Sequence, residues 1–284
     1  MSRKWFPGLT PSRSAPVDLD TGVPHPARIY DYILGGKDNF AADQAAARAA
    51  MTANPHLVTA MRENRAAMRR AAAFLAGDRD VRQFLDIGTG LPTSPNLHEI
   101  VQAVAPDARV VYVDNDPIVL AHARALLTSS PQGMTAYLEA DLADPDTILK
   151  SAARTLDFSQ PVALMLLIIL HLIPDAAEPA KIVARLMNAL PAGSYLVLAH
   201  PASDIRPKAM AEMTGRVNQR MRDAKATMRT RAEITSFFDG LELLAPGVVQ
   251  PQQWRPEPGS AGPAEVTAWC GVARKPAAAG GEPR

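Results

Sequence analysis

The chain has 284 residues, 47% of them hydrophobic, enough for one large domain with a full core, or one domain with appendages. Its 30 Lys and Arg stand against 29 Asp and Glu, a net charge of +1, which disfavours a general nucleic-acid or polyanion binder. The single cysteine, Cys270, rules out an intramolecular disulfide and, with no Cys/His cluster at zinc spacing, fits a reducing compartment without structural zinc.

Residues 1–24 hold Pro7, Pro11, Pro16 and Pro24 among scattered Ser and Thr, which reads as a flexible or loosely docked arm. Its basic residues are not followed by an apolar stretch, so no secretory signal is expected. The longest apolar run, 162–170, is too short to span a bilayer, and a soluble cytoplasmic protein without a membrane partner is expected. Two helices follow at 41–53 and 55–76, where good helix formers dominate and Leu57, Met61, Met68 and Leu75 recur on one face. Pro55 marks the break between them, Gly77 is the expected C-cap, and 25–80 as a whole forms an N-terminal helical cap.

From Arg82 the pattern becomes short β-rich runs at 83–86, 109–114, 135–140, 161–170 and 194–199. Helical stretches at 96–104, 117–127, 147–155 and 175–190 separate them, each near the length a right-handed βαβ crossover needs. A parallel sheet covered on both faces follows. Then come an insertion (201–230) with a helix at 207–223, a short helix at 231–239, and strands at 241–249 and 265–273. With no helix between them, the last two strands should pair antiparallel at the sheet edge. The expected fold is therefore α/β and Rossmann-like over 81–274: seven strands, mostly parallel with an antiparallel last strand, helices on both faces and the N-terminal cap. Residues 275–284 read as a disordered tail.

The first strand ends in Asp86-Ile87-Gly88-Thr89-Gly90, followed by a loop and a helix, where an open α/β sheet binds a nucleotide-like ligand. Gly88 and Gly90 let the backbone turn tightly and approach a ligand. Asp114 ends the second strand, 26 residues after Gly88, near the offset at which a carboxylate reaches a ribose diol. The third strand ends in Ala140-Asp141-Leu142; the acid there can accept from an adenine amine while Leu142 lines the ring. An acid after a strand is often only a helix N-cap, but an ordered triple beside a Gly-x-Gly turn is much rarer by chance. A dinucleotide site would want a third glycine three residues after Gly90; here Leu91-Pro92-Thr93-Ser94-Pro95 follows, which suits an adenosyl ligand with no phosphate to cradle.

These features resemble the class I S-adenosylmethionine-dependent methyltransferases. Three segments, 26–40 (PARIYDYILGGKDNF), 86–93 (DIGTGLPT) with Asn96, His98 and Glu99, and 112–117 (YVDNDP), resemble a bacterial S-adenosyl methyltransferase family long catalogued as a domain of unknown function. The resemblance covers 24–274. It implies S-adenosylmethionine as cofactor, with Asp86, Gly88 and Gly90 lining its methionine part, Asp114 the ribose, Asn115 the adenine face, and Asp141 with Leu142 the adenine edge. The 28–40 segment, rich in Tyr, Asn and Gly, is expected to fold over the cofactor with Tyr30, Asn39 and Phe40 nearest; the bland reading is that the aromatics anchor the arm.

His171, directly after the fourth strand at the methyl end of the cofactor site, is the candidate base, and His200 a second; a His there more often serves a backbone group. His98 and Glu99 are expected to support the glycine loop. Met210, Met213, Val217 and Met221 share one helix face, as a core stripe or an adaptable cap over a substrate cleft. Arg216, Arg220 and Arg222 on its other face read as solvated, Trp254 and Trp269 as packed at the sheet edge, and Cys270 as inert. The expected reaction is methyl transfer to a small-molecule acceptor, without nucleic acid, since no Asn-Pro-Pro-Tyr-type motif follows the fourth strand. The alternative is a non-catalytic S-adenosylmethionine sensor. An NAD-dependent oxidoreductase is argued down by Pro92 and by the lack of a hydride-transfer pair.

Overall fold

Strand β1 (Gln83–Ile87) lies inside a seven-stranded sheet and buries side chains on both of its faces. The computed structural model describes residues 20–126, 128–222, 225–260 and 262–277. Residues 1–19 of the expected arm and 278–284 of the expected tail lie outside them. β1 pairs in parallel with β2 (Arg109–Asp114) on one side and β4 (Ala163–Leu167) on the other, placing Phe84 beside Val110 and Ala163. β3 (Met134–Glu139) extends the sheet beyond β2, and β5 (Tyr195–Pro201) beyond β4, both parallel. β7 (Ala268–Arg274) runs antiparallel along β5, and the short β6 (Glu242–Leu243) pairs antiparallel with β7. The order is β3-β2-β1-β4-β5-β7-β6, with β7 alone reversed. The mostly parallel sheet and the antiparallel pairing of the last two strands are as expected.

Alternation along the strands supplies both cores. Leu85, Ile87, Val111, Val113 and Leu164 pack with α6 (Pro145–Ala152), α7 (Pro179–Asn188) and α9 (Arg231–Ser236) on one side. Phe84, Val110, Tyr112, Met165 and Val197 pack with α3 (Leu57–Gly77), α4 (Leu97–Val104) and Trp254 on the other. Each such aliphatic side chain, removed from water, stabilises the fold by roughly 1.5–3 kcal/mol.

The cap is built from α1 (Pro26–Leu34), α2 (Ala41–Ala53), the start of α3, and α8 (Pro207–Asn218). Ala46, Ala47 and Ala50 of α2 are buried and, being small, let α8 approach closely with Met210 and Met213. Helix α1 is a correction, since residues 28–40 show little apolar periodicity. It forms because Pro26 sits in its first turn, His25 Nδ1 accepts from Ala27 N–H, and Gly35 closes it in the left-handed conformation at φ 86°.

Other boundaries moved for local reasons. The fourth strand is shorter than 161–170 because Ile168 turns the chain out of the sheet at φ 54°, into a 3₁₀ turn at Leu170–Leu172. The expected 241–249 strand keeps two residues before the Pro246-Gly247 turn, and only Val249 pairs again, with Cys270. Helix α8 stops at Asn218, whose side chain bonds both Ala226 N–H and Ala226 O; Asp223, the expected end, lies outside the described residues. Gly77 is the last helical residue of α3 rather than its cap, which is Asp78. Helix α5 (Pro117–Leu126) follows β2 as expected.

Candidate functional site

The strand order reverses between β1 and β4, so the loops after β1 and β4 diverge and leave a crevice at the carboxyl ends of the parallel strands. There a cavity of ≈ 490 Å³ opens between the sheet and the cap. Asp86, Gly88, Gly90, Asp114, Asn115, Asp141, Leu142, Tyr30 and His171 all line it. Asn39 and Phe40 are not among the residues that line it. Asn39 Nδ2 donates to Asp31 Oδ2 at 2.8 Å and to Gly36 O, and Phe40 is 37% exposed with the Arg28 guanidinium over its ring. The Gly35-Gly36-Lys37-Asp38-Asn39 turn is a staple: Asp31 also accepts from Asp38 N–H, and a Cβ on Gly36 would fall 1.9 Å from Asp31 Oδ1.

The glycine turn is held from both sides. Gly88 (φ 76°) packs so closely on Ile169 that a Cβ would overlap it, whereas beyond Gly90 (φ 68°) the space is open. Gly90 N–H donates to Asp114 Oδ2 at 2.8 Å, and Asp116 N–H to Asp114 Oδ1 at 3.0 Å. Burial pushes the Asp114 carboxyl up against the pull of these two N–H donors. Arg65 of α3 donates to Thr93 O and Pro95 O, tying the loop to the cap. As expected for the loop's support, Glu99 accepts from Asn96 N–H while Asn96 Oδ1 accepts from Thr93 N–H. His98 instead bonds the Tyr112 hydroxyl through Nδ1 at 2.9 Å.

Burial pushes the Asp86 carboxyl up to about 7, with the Arg65 charge opposing and Asp114 adding. Asp141 accepts Ala143 N–H at 2.8 Å and is exposed, beside buried Leu142; Asn115 is exposed as well. Tyr30 OH donates to Met61 O at 3.4 Å and accepts from Asn64 Nδ2 at 3.2 Å.

His171 sits in the 3₁₀ turn after β4, with its Nδ1 buried and unpartnered. Burial first, and then the charge field of His200 and Arg229, pull its pKa down to about 3. His200 serves a structural role: its Nδ1 lies 2.8 Å from Pro201 O and its Nε2 2.9 Å from Arg229 Nη1, and burial pulls it down to about 4. Arg229, only 4% exposed, also donates to Leu170 O, Ile173 O and Asp175 Oδ1, and so clamps the turn that carries His171.

The far wall of the cavity is apolar. Met210, Met213, Val217 and Met221 line it while also packing in the cap core. Sequence reasoning missed His25, Asn64, Arg65 and Arg229. His25 Nδ1 lies 3.1 Å from Asp116 Oδ2, and its N–H donates to Asp43 Oδ1. Only His25 carried a local signal, as the residue before a helix-initiating proline.

The remaining expectations have plain outcomes. Trp254 is buried edge-on against Phe74, Trp269 donates to Asp204, and burial pushes the Cys270 thiol up to about 12, so it is unreactive. Arg216 pairs with Glu212 and Arg222 with Asp20 at the surface. Among the described residues no helix is long and apolar enough to cross a membrane, and no group of three His, Cys, Asp or Glu could hold a metal ion.

The pattern of the S-adenosyl methyltransferase family matches residues 12–276. The chain belongs to that family. S-adenosylmethionine is accordingly the cofactor of this S-adenosyl methyltransferase. A DUF574-family protein from Streptomyces avermitilis is 47% identical over 91% of this chain and 100% of its own, with a TM-score of 0.87. A candidate methyltransferase from Thermobifida fusca is 41% identical over 94% and 100%, with a TM-score of 0.84. An O-methyltransferase family protein from Burkholderia thailandensis, 13% identical over 84% of this chain and 60% of its own, shares the fold alone, at a TM-score of 0.50. None of the curated proteins matches the chain.

Proposed function

We propose that this family member transfers the methyl group of S-adenosylmethionine to a small-molecule acceptor held inside the cavity. The observation that carries the reading is one cavity of ≈ 490 Å³ running from the strand-end aspartates to an apolar wall. The residues present fit the cofactor. The open space beyond Gly90 is a cradle that a side chain would fill. Asp114 uses two of its acceptor sites on backbone N–H groups and keeps others for a ribose diol. Asp86 is a buried acid beside the glycine turn, suited to the cationic methionine end. Asn115, Asp141 and Leu142 would border the adenine, and Tyr30 would cover it from α1.

When bound, the cofactor supplies an activated methyl: the acceptor lone pair takes the methyl carbon, and the C–S bond pair stays on sulfur. The chain's own contribution is orientation and exclusion of water. His171, with a pKa near 3, is a poor general base at neutral pH; its buried Nδ1, with no partner in the fold, is left for a hydrogen-bonding group of a bound molecule. The sensor alternative calls for a pocket that closes around the cofactor, whereas this one continues past His171 to the apolar wall.

The test is calorimetric titration with S-adenosylmethionine, S-adenosylhomocysteine and NAD, on the wild type and Asp114→Ala. Micromolar binding of both adenosyl ligands, lost in the variant and absent for NAD, is the expected result. Absence of adenosyl binding overturns the proposed site.

A further inference from the structure

Six methionines, Met61, Met68, Met210, Met213, Met221 and Met228, line one cavity, out of eleven in the whole chain. They come from α3, α8 and the segment after it, and meet Ile29, Ile33 and Leu57 on the cap side of the site. Apart from Tyr30 and Tyr112, whose hydroxyls are held neutral by burial, the titratable groups lining the cavity are His25, Arg65, Asp86, Asp114, Asp141 and His171, and each belongs to the strand-end side. His25 sits against Asp116, Arg65 holds the glycine loop, the three aspartates follow strands, and His171 follows β4. The methionine wall therefore offers no counter-charge, and a charged group lodged there would be desolvated without compensation. Unbranched Met side chains adapt their rotamers to an irregular apolar surface.

Tyr30 and Thr267 also line the cavity, with the Thr267 hydroxyl accepting from Asn54 Nδ2, and Asn64 adds a buried polar group to this wall. Asn64, 3% exposed on α3, gives Nδ2 to the Tyr30 hydroxyl, whose own proton goes to Met61 O; that arrangement leaves Oδ1 as the half of the amide with no partner. A buried amide oxygen without a donor is unfavourable until something supplies one.

We infer that the methyl acceptor is an uncharged, predominantly apolar molecule carrying a hydroxyl or N–H group, bound against the methionine wall with that donor directed to Asn64 Oδ1. The inference rests on the methyltransferase reading and specifies its second substrate. Carboxylates, phosphates and ammonium compounds are the classes it excludes.

The test uses three probes of one size on protein saturated with S-adenosylhomocysteine: 2-naphthol, naphthalene and 2-naphthoate. Binding of S-adenosylhomocysteine is measured first; its failure overturns the methyltransferase reading, and this inference with it. With that binding in place, 2-naphthol should bind about tenfold more tightly than naphthalene and at least about tenfold more tightly than 2-naphthoate. Asn64→Leu should remove the advantage of 2-naphthol over naphthalene, and Val217→Lys, which sets a cation on the wall, should shift preference toward 2-naphthoate. The inference alone is overturned if 2-naphthoate binds the loaded wild type as tightly as 2-naphthol. The same follows if 2-naphthol binds no better than naphthalene, or if neither neutral probe binds.

Discussion

Gly90 N–H donates to Asp114 Oδ2 at 2.8 Å, so the carboxylate ending β2 fixes the turn that follows β1. One side chain thus shapes the cofactor cradle and supplies a wall of it. Replacing Asp114 removes a backbone anchor and the proposed ribose acceptor together. Asp114→Ala should weaken S-adenosylhomocysteine binding by about 100-fold, the equivalent of one or two charge-assisted hydrogen bonds. Asp114→Asn, which can still accept Gly90 N–H through Oδ1, should fall between. A loss below threefold in Asp114→Ala by calorimetry would remove Asp114 from the site.

Asp86 gives the site its pH dependence. Its folded pKa, pushed up to about 7 by burial, lies above the ordinary carboxyl value of 3.8, so the folded chain holds a proton that the unfolded chain has lost. Stability without cofactor is then lost as pH rises from about 4 through 7. Asp86→Asn should therefore raise Tm at pH 8 by about 3 °C or more while weakening cofactor binding. Wild-type affinity for S-adenosylmethionine should increase about tenfold between pH 6 and 8, as the carboxylate ionises to meet the cation. Calorimetry at both pH values checks this, and an equal dependence in Asp86→Asn would assign it elsewhere.

The sheet and the cofactor side of the site were legible because they follow from local rules. Alternating strand residues, crossover-length helices, the Asp86-to-Gly90 turn and an acid at each strand end are short-range patterns, and the turn with Asp114 and Asp141 lines the cavity. The cap wall was legible only as the Met210-to-Met221 helix face; that α1, α3 and α8 come together was not, because they meet only through tertiary packing of residues far apart in the chain. Arg229 is the extreme case: its partners at Leu170, Ile173, Asp175 and His200 share no spacing with it. Asn39 and Phe40 lie off the cavity lining for a local reason. A run of Gly, Asp and Asn looks like ligand chemistry, yet here its polar groups are used on Asp31 within the same turn.

That turn makes its own prediction. Asn39→Ala should leave S-adenosylhomocysteine affinity within twofold of wild type and destabilise the fold by about 1 kcal/mol, one net hydrogen bond. Gly36→Ala should do more damage, because its Cβ would displace the Asp31 carboxylate from Asp38 and Asn39. Urea unfolding beside calorimetry separates the two readouts. A large affinity loss in Asn39→Ala with unchanged stability would return that residue to the cofactor.

Arg229 links fold stability to the placement of His171. Its guanidinium serves two carbonyls, a carboxylate and an imidazole nitrogen, and Arg229→Met leaves all four without their donor. Leaving a buried acceptor without its donor costs about 1–3 kcal/mol, so a marked fall in urea midpoint is expected. Lys keeps the charge but cannot reach all four groups, and should recover only part of it. The acid limb separates this from a general packing defect. His171 and His200 have folded pKa values of about 3 and 4, below the ordinary imidazole value of 6.5, so the unfolded chain takes up protons as pH falls through 6.5 while the folded chain does not. Stability should drop between pH 6.5 and 4 by up to about 1.4 kcal/mol per pH unit for each histidine. Part of that depression comes from the Arg229 charge, behind burial, so the slope should be shallower in Arg229→Met. Parallel wild-type and variant stability curves from pH 7.5 to 4.5 would show that the clamp is mechanical only.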